Sequence, residues 1–398
     1  MSNRKLFYLN GKVQHYAWGG YSYIPTLLGL PVTDQPAAEY WMGAHQSAPS
    51  LVDEQPLNEY IAARPAEILG QAAADRFGQL PYLFKILDVK DMLSIQVHPT
   101  KAEAEKGFAR ENAAGIPLNA PNRNYKDDNH KPEIMVALSE FWLLHGFLPE
   151  NKLKAVLREV PEFPRWRPVF DQEGYFGLYK KVMEMPQDEV NSMLRPLAER
   201  VLPAYQQHQL DKKDPAFWAG RAIANDPEGM GRLDRGIFSI YFFNIVYAAP
   251  GEAVFQDAGI PHAYLEGQNA ELMANSDNVL RGGLTPKHID VEELLKHTRF
   301  EAVYPHILKG EAVHNGQEQR YPTPAPDFAI STIVLKPGDV YEHTATSPEI
   351  WIVMDGKAVA SGSAELPLQK GRSVFAAFGE QYRIAAEVQT VIFKASIP

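Results

Sequence analysis

The stretch Gly251-Glu-Ala-Val-Phe-Gln-Asp-Ala-Gly-Ile-Pro-His262 decides the fold, because it returns 120 residues later as Gly371-Arg-Ser-Val-Phe-Ala-Ala-Phe-Gly-Glu-Gln-Tyr382. Glycine, valine, phenylalanine and glycine coincide at one constant offset. A turn glycine, a two-residue apolar strand core, a second glycine and a closing polar ring read as one hairpin of a β-barrel. The chain therefore reads as two related barrels. His262 closes the first copy and Tyr382 the second, so only the first offers a metal ligand at that position.

Outward from these hairpins, Tyr82–Leu87 and Leu93–Val97 read as strands, and Leu57–Phe77 as an alanine-rich helix broken at Pro65. Thr100 with Glu103 and Asp290 with Glu293 are capping boxes that open helices. The polar segment from Gly115 to Asn129 is a long loop. From Asn151, a candidate cap, the apolar residues Leu153, Val156, Leu157 and Val160 fall at helical spacing. Val190, Leu194, Leu197 and Val201 continue that period, with Pro196 expected to open a new segment. Strand character returns at Gly236–Val254. The tail follows a proline-rich connector, YPTPAPD, with short strands between the turns LKPGD, VMDGKA, SGSAE and QKGRS. The expected class is mainly β with a helical insertion. Residues 1–149 and 234–314 form a discontinuous metal-binding barrel, 150–233 the helical insertion, and 315–398 a second barrel without metal ligands.

The 398 residues carry a net charge of −10 and no basic run, which argues against nucleic acid as a partner. There is no cysteine, so disulfides, thiolate zinc sites and cysteine nucleophiles are excluded. The opening segment lacks an apolar core of signal-peptide type, and Ile237–Ala249 is too short to span a bilayer. A cytoplasmic protein with no membrane partner, monomeric or weakly oligomeric, is the expectation. Neither GxxxxGK[ST] nor GxGxxG follows a strand, which removes phosphate-loop and dinucleotide folds.

Any metal must then be held by nitrogen and oxygen. Gln96 and His98, two apart at the end of a strand, reach one point. His262 supplies a second imidazole, and Glu133 in NHKPE a carboxylate, with Asp127 and Asp128 upstream. Two imidazoles, one carboxylate and one amide leave a charge of +1 around Zn²⁺ and an open position, which suits a catalytic rather than a structural ion.

Five ordered segments, WMGAH (Trp41–His45), LSIQVHP (Leu93–Pro99), YKDDNHKPE (Tyr125–Glu133), PHAYLEG (Pro261–Gly267) and SDNVLRGGLTPK (Ser276–Lys287), resemble type I phosphomannose isomerase from about Tyr8 to about Thr298. The likeness weakens in the tail. It implies tandem cupin-like jelly-roll barrels, one zinc per chain held by Gln96, His98, Glu133 and His262, and a catalytic arginine at Arg281. It also implies interconversion of mannose 6-phosphate and fructose 6-phosphate. Asp257 stands where many relatives have proline and Gly20 where serine is common, which puts only loop details in question.

That reaction removes a proton from C2 and returns one to C1, a step that a metal on the substrate oxygens would ease. His130 and Lys131, beside Glu133, are the local candidates for the base, with Asp277 and Glu271 as further ones. Lys131 beside a metal cation would hold its proton less tightly. The phosphate of the substrate needs local cations against the overall negative charge. Arg281 and Lys287 share a glycine-rich loop, and Lys85 and Ser94 could complete the subsite. Trp18, Trp41 and Tyr264 could wall the pocket. Two other readings fit two histidines and a carboxylate: an iron cupin dioxygenase and a non-catalytic sugar-phosphate sensor. The fourth ligand and the Arg281–Lys287 cations argue against the first, the intact base positions against the second.

Overall fold

A computed structural model describes residues 4–398. Both copies of the repeat turn in the same way. Gly251 and Gly371 have φ of 85° and 82°, and Gly259 and Gly379 of 80° and 76°, a region that a Cβ disfavours. Each copy places a strand between its glycines, Ala253–Gln256 and Ser373–Ala376. A second strand follows, His262–Ala274 and Gln381–Ala386.

His262–Ala274 is the spine of a ten-stranded sheet. Its first half pairs with Ile95–Val97 and Phe141–Phe147, its second half with Tyr82–Val89 and Glu133–Ala137. The change of partners falls at Gly267, whose φ is 124° and whose Cβ would lie 2.5 Å from the Glu140 carbonyl oxygen. The strand thus joins two layers, and Leu87, Met135, Phe141, Leu143, Val254 and Tyr264 pack together between them.

The tail forms a four-stranded and a seven-stranded sheet. Tyr341, Trp351, Val374 and Ile384 fill the space between them. Phe7, Ile330, Ile350, Phe375 and Phe393 pack against Tyr40, Met42, Phe84, Ile86 and Ile134 of the ten-stranded sheet. The two β units therefore share a core. On the opposite side, Ile95, Val97, Leu144 and Ala263 meet Leu153, Leu157, Leu194, Leu197 and Trp218 of the helices.

Several expectations shift. Leu6–Leu9, placed with the metal-binding unit, pairs with Ser373–Ala376 of the tail, and Glu311–Val313 also joins the tail's sheet. Asn151 is no cap: the helix spans Glu150–Glu159, and Pro149, with its fixed φ, precedes it. Pro196 lies inside the helix Gln187–Gln206, as does Pro203. Burial of Val190, Leu194, Leu197 and Val201, about 1.5–3 kcal/mol each, outweighs the ~3 kcal/mol an interior proline costs. Gly236–Phe242 is helical and buried throughout, so its apolar run has no period to distinguish it from a strand. The strand begins at Phe243.

Other signals hold. Thr100 and Asp290 both accept the backbone N–H three residues on, capping Lys101–Ala113 and Val291–His297. Pro65 opens a second short helix and Gly70 separates a third. Among the described residues no helix is long and apolar enough to cross a membrane.

Candidate metal centre and cavity

Strand register assembles the site. Across one layer Arg281, Gln96, His262 and His145 stand directly opposite one another on successive antiparallel strands. Opposite residues share a face, here the face that Leu143 and Tyr264 turn to the interior. His98 lies two residues beyond Gln96. The facing layer contributes Glu133, itself opposite Gln256 and Met273.

His98, Glu133 and His262 are 0%, 2% and 1% exposed. Glu133 Oε1 is 3.4 Å from His98 Nε2, and Oε2 is 3.2 Å from His262 Nε2. The imidazole Nδ1 atoms lie 2.8 Å from the Asn278 carbonyl and 2.9 Å from the Ile260 carbonyl. A carbonyl only accepts, so each Nδ1 carries the proton and each Nε2 is a bare lone pair. Both Nε2 atoms are buried without a hydrogen-bond donor. Burial pushes His98 down to about 4, against the pull of Glu133. Burial opposes ionisation of Glu133, but Lys131 and the imidazoles hold it well below the usual carboxylate range. Two lone pairs and a carboxylate converging with no proton between them fit a divalent cation, and an all nitrogen-and-oxygen set fits zinc.

A cavity of about 800 Å³ opens beside this cluster. Gln96, Glu133, Lys131, Asp277, Glu271, Ser94, Arg281 and Lys287 all line it, as do Trp18, Trp41 and Tyr264. His130 does not: its Nε2 is 2.9 Å from Asp327 Oδ2, in the tail unit. Lys85 lines the cavity but is engaged. Its ammonium lies 3.1 Å from Glu271 and 3.4 Å from Glu39, and over the Trp41 ring. Burial works against its charge, and the surrounding carboxylates outweigh that and push its pKa up. Lys85 thus reaches the cavity, but with its ammonium already shared by two buried carboxylates. Glu271 also accepts from the Tyr264 hydroxyl at 2.8 Å, and burial raises its pKa. Lys131 sits 3.0 Å from Glu133.

Asp277 retains a half-exposed side chain, with Oδ2 3.2 Å from His45 Nε2. The Ser47 backbone N–H donates to His45 Nδ1 at 3.3 Å, so the ring proton is on Nε2 and points at Asp277. Burial would raise the Asp277 pKa; the His45 hydrogen bond and charge lower it. Asp127 is no ligand. It accepts from Ser276 Oγ and the Asp277 N–H, while Asn278 Nδ2 donates to the carbonyls of Asp127 and Asn129. This knot fixes the segment that holds His98 and presents Asp277. Asp128 lies on the surface, 3.6 Å from Lys101.

Sequence reading missed three contributors. His45 carried no spacing signal. The end of the helical segment supplies Arg232, and Asp234 just beyond it, to the cavity lining. Asp234 accepts backbone N–H groups of Gly236, Leu284 and Thr285 at 2.6, 2.8 and 3.1 Å, tying the helices to the loop that carries Arg281 and Lys287.

Fold and site define a β-rich protein with a buried mononuclear metal centre that opens onto a polar cavity. Residues 6–150 match the family model for the phosphomannose isomerase type I catalytic domain. The mannose-6-phosphate isomerase of Escherichia coli is 38% identical over 94% of this chain and 95% of its own length. The human enzyme of that name is 33% identical over 99% of both. A crystal structure of the Salmonella typhimurium mannose 6-phosphate isomerase, described as bound to substrate (fructose 6-phosphate) and zinc, superposes with a TM-score of 0.87. It is 35% identical, over 99% of this chain and 100% of that one. The chain belongs to the mannose-6-phosphate isomerase family. The dioxygenase and sensor readings are not favoured.

Proposed function

We propose that this chain interconverts mannose 6-phosphate and fructose 6-phosphate using one zinc ion. The observation that carries the reading is the pair of bare, buried imidazole nitrogens facing Glu133 at the edge of a cavity lined by Arg281 and Lys287. Zinc held by Gln96, His98, Glu133 and His262 would stabilise negative charge developing on the substrate oxygens. Arg281 and Lys287 balance the charge of the substrate. Asp277 is the proton carrier between C2 and C1: His45 occupies Oδ2, and the half-exposed side chain leaves the other oxygen for the substrate. Lys131 neutralises Glu133. Lys85, Glu271 and Tyr264 present a fixed polar wall to sugar hydroxyls, beside Trp18 and Trp41.

The organisation we infer is a pair of related jelly-roll barrels, one metal-binding and one not, with the helices inserted in the first. Matching positive-φ glycines in the two hairpins support it. A cytoplasmic enzyme, monomeric or weakly associating, is the corresponding expectation.

The test is metal analysis coupled to a mannose 6-phosphate isomerisation assay, before and after chelation. About one zinc per chain, with turnover lost on chelation and restored by Zn²⁺, is expected. Turnover that survives complete metal removal would overturn the mechanism.

A further inference from the structure

Resting on that reading, we propose that Arg232, from the helical insertion, is the third cation of the phosphate subsite, with Arg281 and Lys287. Six cationic side chains line the cavity: Lys85, Lys131, Arg221, Arg232, Arg281 and Lys287. Three are occupied. Lys85 is held by Glu39 and Glu271, Lys131 by Glu133, and Arg221 by Glu266 and the Lys90 carbonyl. Arg232, Arg281 and Lys287 have no ion-pair partner among the described residues. The same lining carries Asp226 and Glu228, neither ion-paired to Arg232, Arg281 or Lys287, so the three cations stay open to a bound anion. Burial and the nearby Arg281 both disfavour the charge on Lys287, a repulsion that a bound dianion would relieve.

Arg232 is exposed and lines the cavity at the end of the helical segment. Its backbone is extended (φ −141°, ψ 99°), and Leu233 is buried in the helical core. Asp234, two residues on, reaches the amides of Leu284 and Thr285, and Arg232 lines the same cavity as the loop that carries Arg281 and Lys287. A guanidinium is suited to paired hydrogen bonds with phosphate oxygens.

The experiment compares wild type with Arg232→Gln and Arg232→Lys, all zinc-loaded. It measures zinc content, the KM and kcat for mannose 6-phosphate, and the affinity for inorganic phosphate by calorimetry. Arg232→Gln should raise KM roughly ten- to hundredfold and weaken phosphate binding in parallel, with zinc content unchanged. Arg232→Lys should recover part of both. Unchanged KM and phosphate affinity in Arg232→Gln would overturn the proposal. A wild type that binds phosphate without isomerising mannose 6-phosphate would instead sink the isomerase reading, and the calorimetric comparison would still decide the role of Arg232.

Discussion

Gln96 stands directly opposite His262 across two antiparallel strands, and Arg281 stands opposite Gln96 on its other side. One register therefore delivers an amide, an imidazole and a guanidinium to a single interior row. A slip of one residue would turn all three into the helical layer, where Ile95, Val97, Ala263 and Leu280 now pack. His262 of the metal cluster and Arg281 thus flank Gln96 in one row, and the apolar face behind them holds both in place.

His262→Ala should release the metal and abolish turnover. It removes one of two bare imidazoles, and the loss in zinc affinity should exceed the roughly 10- to 100-fold typical of an outer hydrogen-bond partner. Zinc content and isomerisation rate are measured on the same preparation. Full activity with normal zinc would refute the ligand assignment.

His45→Phe should keep zinc and lower kcat, because the Nε2–H that orients Asp277 is gone. The hydrogen bond and charge from His45 lower the Asp277 pKa. Removing them raises it, so the acid limb of kcat/KM should move to higher pH, since a base must be ionised to act. An unmoved limb in an active variant would mean that Asp277 is not the proton carrier.

The structure bears out those signals that were local. Glycine and proline turns in the tail, the two N-caps and the Gln96-Val-His98 alternation each act within a few residues, and each can be read from spacing. What was illegible is non-local. Nothing in Leu6–Leu9 announces a partner at Ser373–Ala376. Lys85 looks free until Glu271, far along the chain, is paired with it by register. Arg232 and Asp234 are single polar residues in the irregular turn before the helix Gly236–Phe242, and only tertiary packing brings them to the cavity. Gly236–Phe242, buried on every side, carries no period at all.

Lys394→Met should destabilise the tail unit by about 3–5 kcal/mol at pH 7, the cost of stranding a buried charge. Lys394 Nζ lies 2.9 Å from Glu318 Oε1, and both are almost fully buried. Burial opposes the charge on Glu318, but Lys394, Ser331 and Tyr341 bring its pKa down to about 2 from an ordinary 4.5. A depressed carboxylate stabilises the fold above its unfolded pKa, and that contribution fades as the pH falls from about 4.5 towards 2. Urea titrations from pH 7 to 3 should show this acid loss in wild type and a shallower one in Lys394→Met. Equal stabilities at pH 7 would discount the pair.

Tyr382→Phe separates the two halves of the repeat. Tyr382 occupies the place in the second hairpin that His262 holds in the first, and its hydroxyl donates to Glu349 Oε2 at 2.8 Å. Glu349 also receives Trp351 Nε1 at 3.0 Å and lies 3.1 Å from His343 Nε2. The second copy thus turns the ligand position into a hydrogen-bonded plug of aromatic and carboxylate groups. Loss of one donor to this buried carboxylate should cost about 1.5–3 kcal/mol of stability, read by denaturant unfolding, while zinc content and KM stay at wild-type values. Zinc released by Tyr382→Phe would mean that the second hairpin supports the metal after all, and the division of roles between the two copies would have to be redrawn.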